Sequence, residues 1–324
     1  MLMDATPFVD PEQYLILQAV DPAAPQTWEM SVSDARLSSD AMIEGQRPPV
    51  EVGSVRDLVI PAEHRDIPAR LYRPGPDPAP LVVFFHGGGW KVGSVNLSDR
   101  PIRRLVADTG CAVISIDYRL APEDPHPAAL QDCVAATRWA AENVAELGGD
   151  GDFLAVGGDS AGANLAAGVA QMLRDEGGPT LSHQLLVYPV VARDFDTDSY
   201  LRFGEGYFLT RKAMQHFWEI YAGPTESPEY VDLYAAGPLD GLPAATVITC
   251  GLDPLLDDGE GYARALYEAG VPITYLRYNE LIHGSWSMDG TSQGAYQLGV
   301  DIAGALRRAI TLNRPASAEK TPTT

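Results

Sequence analysis

The chain of 324 residues is 45% hydrophobic and 21% charged, too apolar for a disordered protein and ordinary for a globular one. At this length about 75% of the unfolded surface can be buried, so one large α/β domain or two smaller ones can form without a metal or disulfide staple. The formal charge of −21 repels phosphate backbones and anionic bilayers, which argues against nucleic-acid binding and stable membrane association.

The first 50 residues are mixed, with a short helix expected over 11–20. The start, Met1-Leu-Met-Asp-Ala-Thr-Pro, lacks the basic and apolar regions of a secretory signal. No apolar stretch approaches the roughly 18 residues of a membrane span, so a soluble, cytoplasmic chain is expected. From 51 the rhythm changes. Segments 56–61 and 67–73 predict a hairpin of strands. Continuous apolar runs at 81–85, 111–116, 153–156, 184–191, 246–250 and 273–276 then read as strands buried on both faces. Helical patterns lie between them near 98–109, 128–147, 160–175, 257–269 and 292–312. This alternation predicts an α/β fold with a mostly parallel sheet flanked by helices.

One stretch breaks the alternation. Residues 192–240 contain no convincing strand, and Met214, Phe217, Trp218 and Tyr221 recur there at helical spacing. An inserted helical cap, joined by residues 1–50, is expected over the core of 51–312. The stripe could equally be a homodimer contact if it is exposed. The polar tail 313–324 is expected to be disordered. Cys111, Cys133 and Cys250 are widely spaced with no C-x-x-C, so they read as buried small hydrophobes, with neither a disulfide nor a metal site indicated.

The sharpest chemical signal is Gly158-Asp-Ser160-Ala-Gly162. A G-x-S-x-G between a strand and a helix forces the serine out of the sheet on a tight turn, and the helix N-terminus with the Ala161 amide faces any developing negative charge. The second is His86-Gly-Gly-Gly-Trp90, at the end of the run 81–85. Three glycines mark close backbone approach, and their amides can face an oxyanion. A phosphate loop or a plain turn is the alternative, but neither phosphate-binding glycine pattern fits.

A serine nucleophile needs a base, and the base needs an orienting acid. Among six histidines (64, 86, 126, 183, 216 and 283), His283 follows the last predicted strand, where α/β sheets hold their sites. Asp253 follows the strand 246–250. Asp257 and Asp258 open the next helix and read as first-turn carboxylates favoured by its dipole. The order Ser160, Asp253, His283 is that of an α/β-hydrolase.

Together, His86-Gly-Gly-Gly, Asp117-Tyr-Arg-Leu-Ala-Pro-Glu123, Gly158-Asp-Ser-Ala-Gly162, Asp253-Pro-Leu and His283-Gly resemble the hormone-sensitive-lipase family of esterases, of the bacterial kind, over about residues 52–310. The resemblance implies a small helical cap on an α/β-hydrolase core and a cofactor-free reaction on small-molecule carboxylic esters with short-to-medium acyl groups. It assigns Ser160 as nucleophile, His283 as base and Asp253 as its orienter. Gly88, Gly89 and Ala161, with Gly87, would supply oxyanion amides. Trp90, Tyr188 and Trp218 are expected against the substrate. His86 would fix the glycine loop, and Asp117, Tyr118 and Arg119 the scaffold beside it. Two motifs depart from the family: His-Pro-Phe-Pro reads Asp124-Pro-His126-Pro, and His-Gly-Phe reads His283-Gly-Ser285. An amidase or deacetylase of the same mechanism remains as an alternative. So does a non-catalytic receptor on the same fold, although the family's receptor lacks the histidine that is present here.

Overall fold

The computed structural model describes residues 7–21, 23–224 and 229–313. The expected disordered tail therefore lies almost wholly outside the described residues. The first helix, α1 (Pro11–Ala19), starts where Asp10 accepts hydrogen bonds from the Glu12 and Gln13 amides and Pro11 occupies the first turn, a sequence-local start signal. A second N-terminal helix, α2 (Val32–Asp40), is capped by Ser31 and was not expected.

The sheet forms from β1 (Ser54–Ile60), β2 (Ile67–Arg73), β3 (Ala79–Phe85), β4 (Ala112–Ile116), β5 (Gly149–Asp159), β6 (His183–Val187), β7 (Ala245–Leu252) and β8 (Ile273–Ile282). Its strand order is β1-β2-β4-β3-β5-β6-β7-β8. The β1–β2 and β2–β4 pairs are antiparallel, and all the others are parallel. The helices α3 (Asp99–Thr109), α4 (Ala128–Glu142), α5 (Ala161–Asp175), α8 (Leu256–Glu268) and α9 (Gln293–Asn313) cross over between strands or cover the sheet. Every residue of β3, β4, β6 and β7 is buried, as a sheet covered on both faces requires. The strand expected over 184–191 stops at Val187. Tyr188 has φ 35°, and Pro189 has no N–H to continue the ladder.

The insertion between β6 and β7 carries α6 (Asp198–Phe203) and α7 (Arg211–Ala222). Its one ladder contact among the described residues is an isolated bridge between Glu229 and Asp232. Both ends of the insertion are hooked to the helix that follows the serine: the Asn164 side-chain amide donates to the carbonyls of Val190 at 3.0 Å and Val231 at 2.7 Å. The α7 stripe is not a free face. Met214, Phe217, Trp218 and Tyr221 are at most 6% exposed, so the stripe packs inward and offers no dimer contact.

The start of α8 also departs from expectation. Asp258 is buried, and its carboxylate accepts from the amides of Val191 at 2.9 Å and Ala192 at 3.4 Å. Asp257 accepts from the Ser199 amide at 2.8 Å. These residues hold the root of the insertion instead of facing solvent, because α8 turns its first-turn face toward α6. Burial pushes the Asp258 carboxyl up to about 8, from 3.8, despite the opposing pull of the two amides. Between about pH 4 and about pH 8 the folded chain thus holds a proton that the unfolded chain has released, and stability falls as pH rises through that window. Asp258→Asn keeps an acceptor for both amides and removes the titration. Calorimetry should therefore show its Tm gaining on the wild type between about pH 5 and pH 8; parallel Tm–pH curves would contradict this.

Candidate active site

The turn between β5 and α5 carries Ser160 at φ 53°, ψ −121°, a region that costs a non-glycine residue roughly 1–3 kcal/mol. It is tolerated because the chain around it is tightly held. The Ser160 amide donates to the Val187 carbonyl at 2.9 Å. Gly162 lets α5 begin against the end of β3, where a Cβ would overlap the carbonyl oxygens of Phe85 and His86. Only glycine permits that approach.

His283 stands one residue beyond β8. Its Nε2 lies 2.9 Å from Ser160 Oγ, and its Nδ1 lies 2.7 Å from Asp253 Oδ2. Asp253 is fully buried just past β7, and its other oxygen accepts from the Leu255 amide at 2.8 Å. Ser160 and His283 are 8% and 7% exposed, so the group is nearly covered. The three residues singled out in the sequence are thus brought into one hydrogen-bonded chain. The Tyr188 ring packs against the His283 ring at 4.8 Å between centroids.

The glycine loop runs alongside. Gly88 has φ 124° and Gly89 has φ 58°, and among the described residues their amides donate to no protein acceptor. The Ala161 amide opens α5, where the helix leaves its first donors unpaired. Gly87 differs from the expected oxyanion set: its amide donates to Asp159 Oδ1 at 2.8 Å and is not available. Desolvation pushes the Asp159 carboxyl up to about 6, while the Gly87 amide and His283 pull it down. Sequence reading gave this residue no role, although it lies inside the motif.

His86 is buried, stacks on Tyr118 at 4.3 Å, and contacts the Gly87 carbonyl through Nδ1 at 2.8 Å. Burial keeps it neutral by lowering its pKa. The Tyr118 hydroxyl donates to the His86 carbonyl at 2.6 Å, and Arg119 pairs with Asp132 at 2.8 Å. His86 props the loop: its Nδ1 faces the Gly87 carbonyl and the Tyr118 hydroxyl, whereas the imidazole bonded to Ser160 is that of His283.

Trp90 and Trp218 are both 0% exposed. Trp90 lies edge-on to Trp218 at 5.4 Å and stacks on Tyr221 at 4.5 Å, so the two indoles are packed against each other and against Tyr221. The residue that reaches the glycine loop is Phe217, whose ring fills the space a Gly89 Cβ would occupy. Helical spacing put Phe217 on the right face but could not rank it above its neighbour. His126, where the family motif has Phe, sets its ring against Tyr221 at 5.7 Å.

Residues 82–287 match a protein family described by its alpha/beta hydrolase fold. The chain belongs to that family. This α/β-hydrolase is 40% identical over 283 residues to the carboxylic ester hydrolase LipN of Mycobacterium tuberculosis, covering 84% of this chain and 75% of that protein. It is 37% identical over 290 residues to the esterase LipI of the same organism, covering 87% and 89%. Among solved structures, a thermostable esterase from Pseudomonas putida ECU1011 superposes with a TM-score of 0.89 at 34% identity, over 94% of this chain and 98% of that one. The hormone-sensitive-lipase resemblance read from the motifs holds across this length. No helix among the described residues is long and apolar enough to cross a membrane.

Gly162→Ala should test the elbow. The added methyl has backbone oxygens on its path and no flexible side chain to displace, so a loss of roughly 2–4 kcal/mol is expected. It would be read as a lower urea midpoint at unchanged slope; an unchanged midpoint would contradict the close approach.

Proposed function

We propose that this α/β-hydrolase cleaves carboxylic esters through an acyl-enzyme formed on Ser160. The observation that carries the reading is the unbroken chain from Ser160 Oγ through His283 to Asp253, set beside the Gly88 and Gly89 amides, which have no protein acceptor among the described residues. Ser160 Oγ attacks the ester carbonyl as His283 Nε2 takes its proton. The carbonyl oxygen becomes an oxyanion held by the amides of Gly88, Gly89 and Ala161. Collapse of the tetrahedral intermediate breaks the acyl–oxygen bond, and His283 returns the proton to the leaving alcohol. Water then attacks the acyl-enzyme with His283 as base, releasing the acid and restoring Ser160. Asp253 keeps Nδ1 protonated throughout and stabilises the imidazolium.

Near-complete cover over Ser160 supports a small substrate with a short-to-medium acyl chain over a lipid aggregate. We assign one wall of the acyl chamber to Phe217, which lies on the oxyanion loop, and another to Tyr188, which lies on His283. Residues 1–50 and the insertion act together as the cap: Lys91 Nζ, directly after the glycine motif, donates to the Thr27 carbonyl at 2.7 Å and meets His216 Nε2 of α7 at 3.1 Å.

Ser160→Ala should fold and lose roughly 10³-fold or more in kcat on p-nitrophenyl butyrate, and an organophosphonate should label Ser160 alone in the wild type. Retained activity, or mass-spectrometric label on another serine, would refute the assignment. Asp253→Asn should lower kcat by about 10³–10⁴, whereas Asp257→Asn should leave kcat within a few-fold; equal losses at both would leave the base without its assigned partner. Each methylene that fits the chamber adds up to ~0.8 kcal/mol to binding. A profile over p-nitrophenyl esters should therefore peak near C4–C8, a length suited to a pocket of ordinary size. Phe217→Ala should move the peak to longer chains while sparing acetate. An unmoved peak would remove Phe217 from the chamber wall.

A further inference from the structure

Helix α1 is mostly exposed, and Gln13 is its one buried residue, at 0% exposure. Its side chain crosses to the far end of the sequence. Gln13 Oε1 accepts from the Ile282 amide at 2.8 Å, and Gln13 Nε2 donates to Ser285 Oγ at 2.7 Å. The Ser285 hydroxyl in turn donates to the Ile282 carbonyl at 2.6 Å. Because the Ile282 N–H can only donate, it fixes which end of the Gln13 amide faces it, and the other end then meets an oxygen whose proton is already committed. The result is a closed ring of hydrogen bonds that holds both polar backbone groups of the residue preceding His283 and the side chain two residues after it.

The helix that delivers Gln13 is itself anchored on both sides of this loop. The Asp10 amide donates to the Glu280 carbonyl at 3.0 Å, and Asp10 Oδ1 accepts from the Ser292 hydroxyl at 3.2 Å. Ser285 is the position at which the His-Gly-Phe motif departs, and a phenylalanine there could not close the ring.

We propose that Gln13 is a positioning residue: acting through Ile282 and Ser285, it holds His283 at the point where one imidazole reaches both Ser160 and Asp253. The proposal rests on the reading of His283 as the general base. With the ring broken at Gln13 the Ile282 amide loses its partner, and with it broken at Ser285 the Ile282 carbonyl does, so the residue before the imidazole is then held on one side only. A shift of about 1 Å in a reacting group can cost 10²-fold in rate.

Gln13→Met tests this, since it keeps the length and apolar fill and removes both hydrogen bonds. Ser285→Ala breaks the same ring while leaving α1 unchanged. Active-site concentration is taken from phosphonate titration, so that rates refer to folded enzyme. For p-nitrophenyl acetate, kcat should fall about 10–10²-fold in each variant, with KM within about 3-fold. The double variant should be no worse than the product of the two and closer to either one, as expected of residues in one network. The downfield proton resonance of the His283–Asp253 hydrogen bond should broaden in both. An unchanged kcat with the resonance intact would overturn the proposal, as would a rise in KM alone, which marks a lining role for α1. A His283→Ala control separates the two levels of the argument. If it is inactive while Gln13→Met and Ser285→Ala are not impaired, only the positioning role fails. If it turns over normally, the base assignment fails and takes the positioning role with it.

Discussion

Ser160 is held in a backbone conformation that a residue with a side chain rarely adopts, and it stays there because α5 starts in contact with the end of β3. Gly162 makes that contact possible. The same contact brings the glycine loop, which continues from β3, alongside the serine. The strain is local, and its cost is offset by the buried sheet around it: β3, β5 and β6 are adjacent parallel strands inside the sheet, and β3 and β6 are buried along their whole length. Loosening of this junction would move the nucleophile and the oxyanion amides together.

Around that fixed point the more distant elements are tied to the site through side chains at a few positions. Asn164, one turn beyond the serine, holds both ends of the insertion, and Asp258 holds its root. Lys91 joins the glycine loop to both the N-terminal segment and α7. On the proposed reading, a cap secured at these hinges and apolar on its inner face would exclude water from the acyl-enzyme.

What could be read from the sequence follows from how far each constraint extends along the chain. Both glycine motifs were legible because tight turns and close approaches impose residue types on consecutive positions. The parallel sheet was legible because its strands are continuously apolar. His283 could be singled out because its place after the last strand restricts where it can reach. The pairing of Gln13 with Ile282 and Ser285 spans about 270 residues and leaves no local pattern. Asp258 looked like an ordinary first-turn carboxylate because helical spacing does not say which face meets α6. For the same reason the stripe on α7 identified a buried face but not that Phe217 meets the glycine loop while Trp218 packs against Trp90. The family resemblance adds the Gly87 amide to the oxyanion set, but Asp159 takes it, and the position of Asp159 in its motif gives no sign of that contact.

The central claim is that the elbow and the glycine loop converge on one oxygen. It is tested most directly by a crystal structure of the phosphonylated enzyme, in which the phosphonyl oxygen stands for the oxyanion of the tetrahedral intermediate. That oxygen should lie about 2.7–3.1 Å from the amide nitrogens of Gly88, Gly89 and Ala161, with phosphorus bonded to Ser160 Oγ and Gly87 still donating to Asp159. An oxygen turned away from those three amides, or bound instead by a Gly87 amide released from Asp159, would contradict the account.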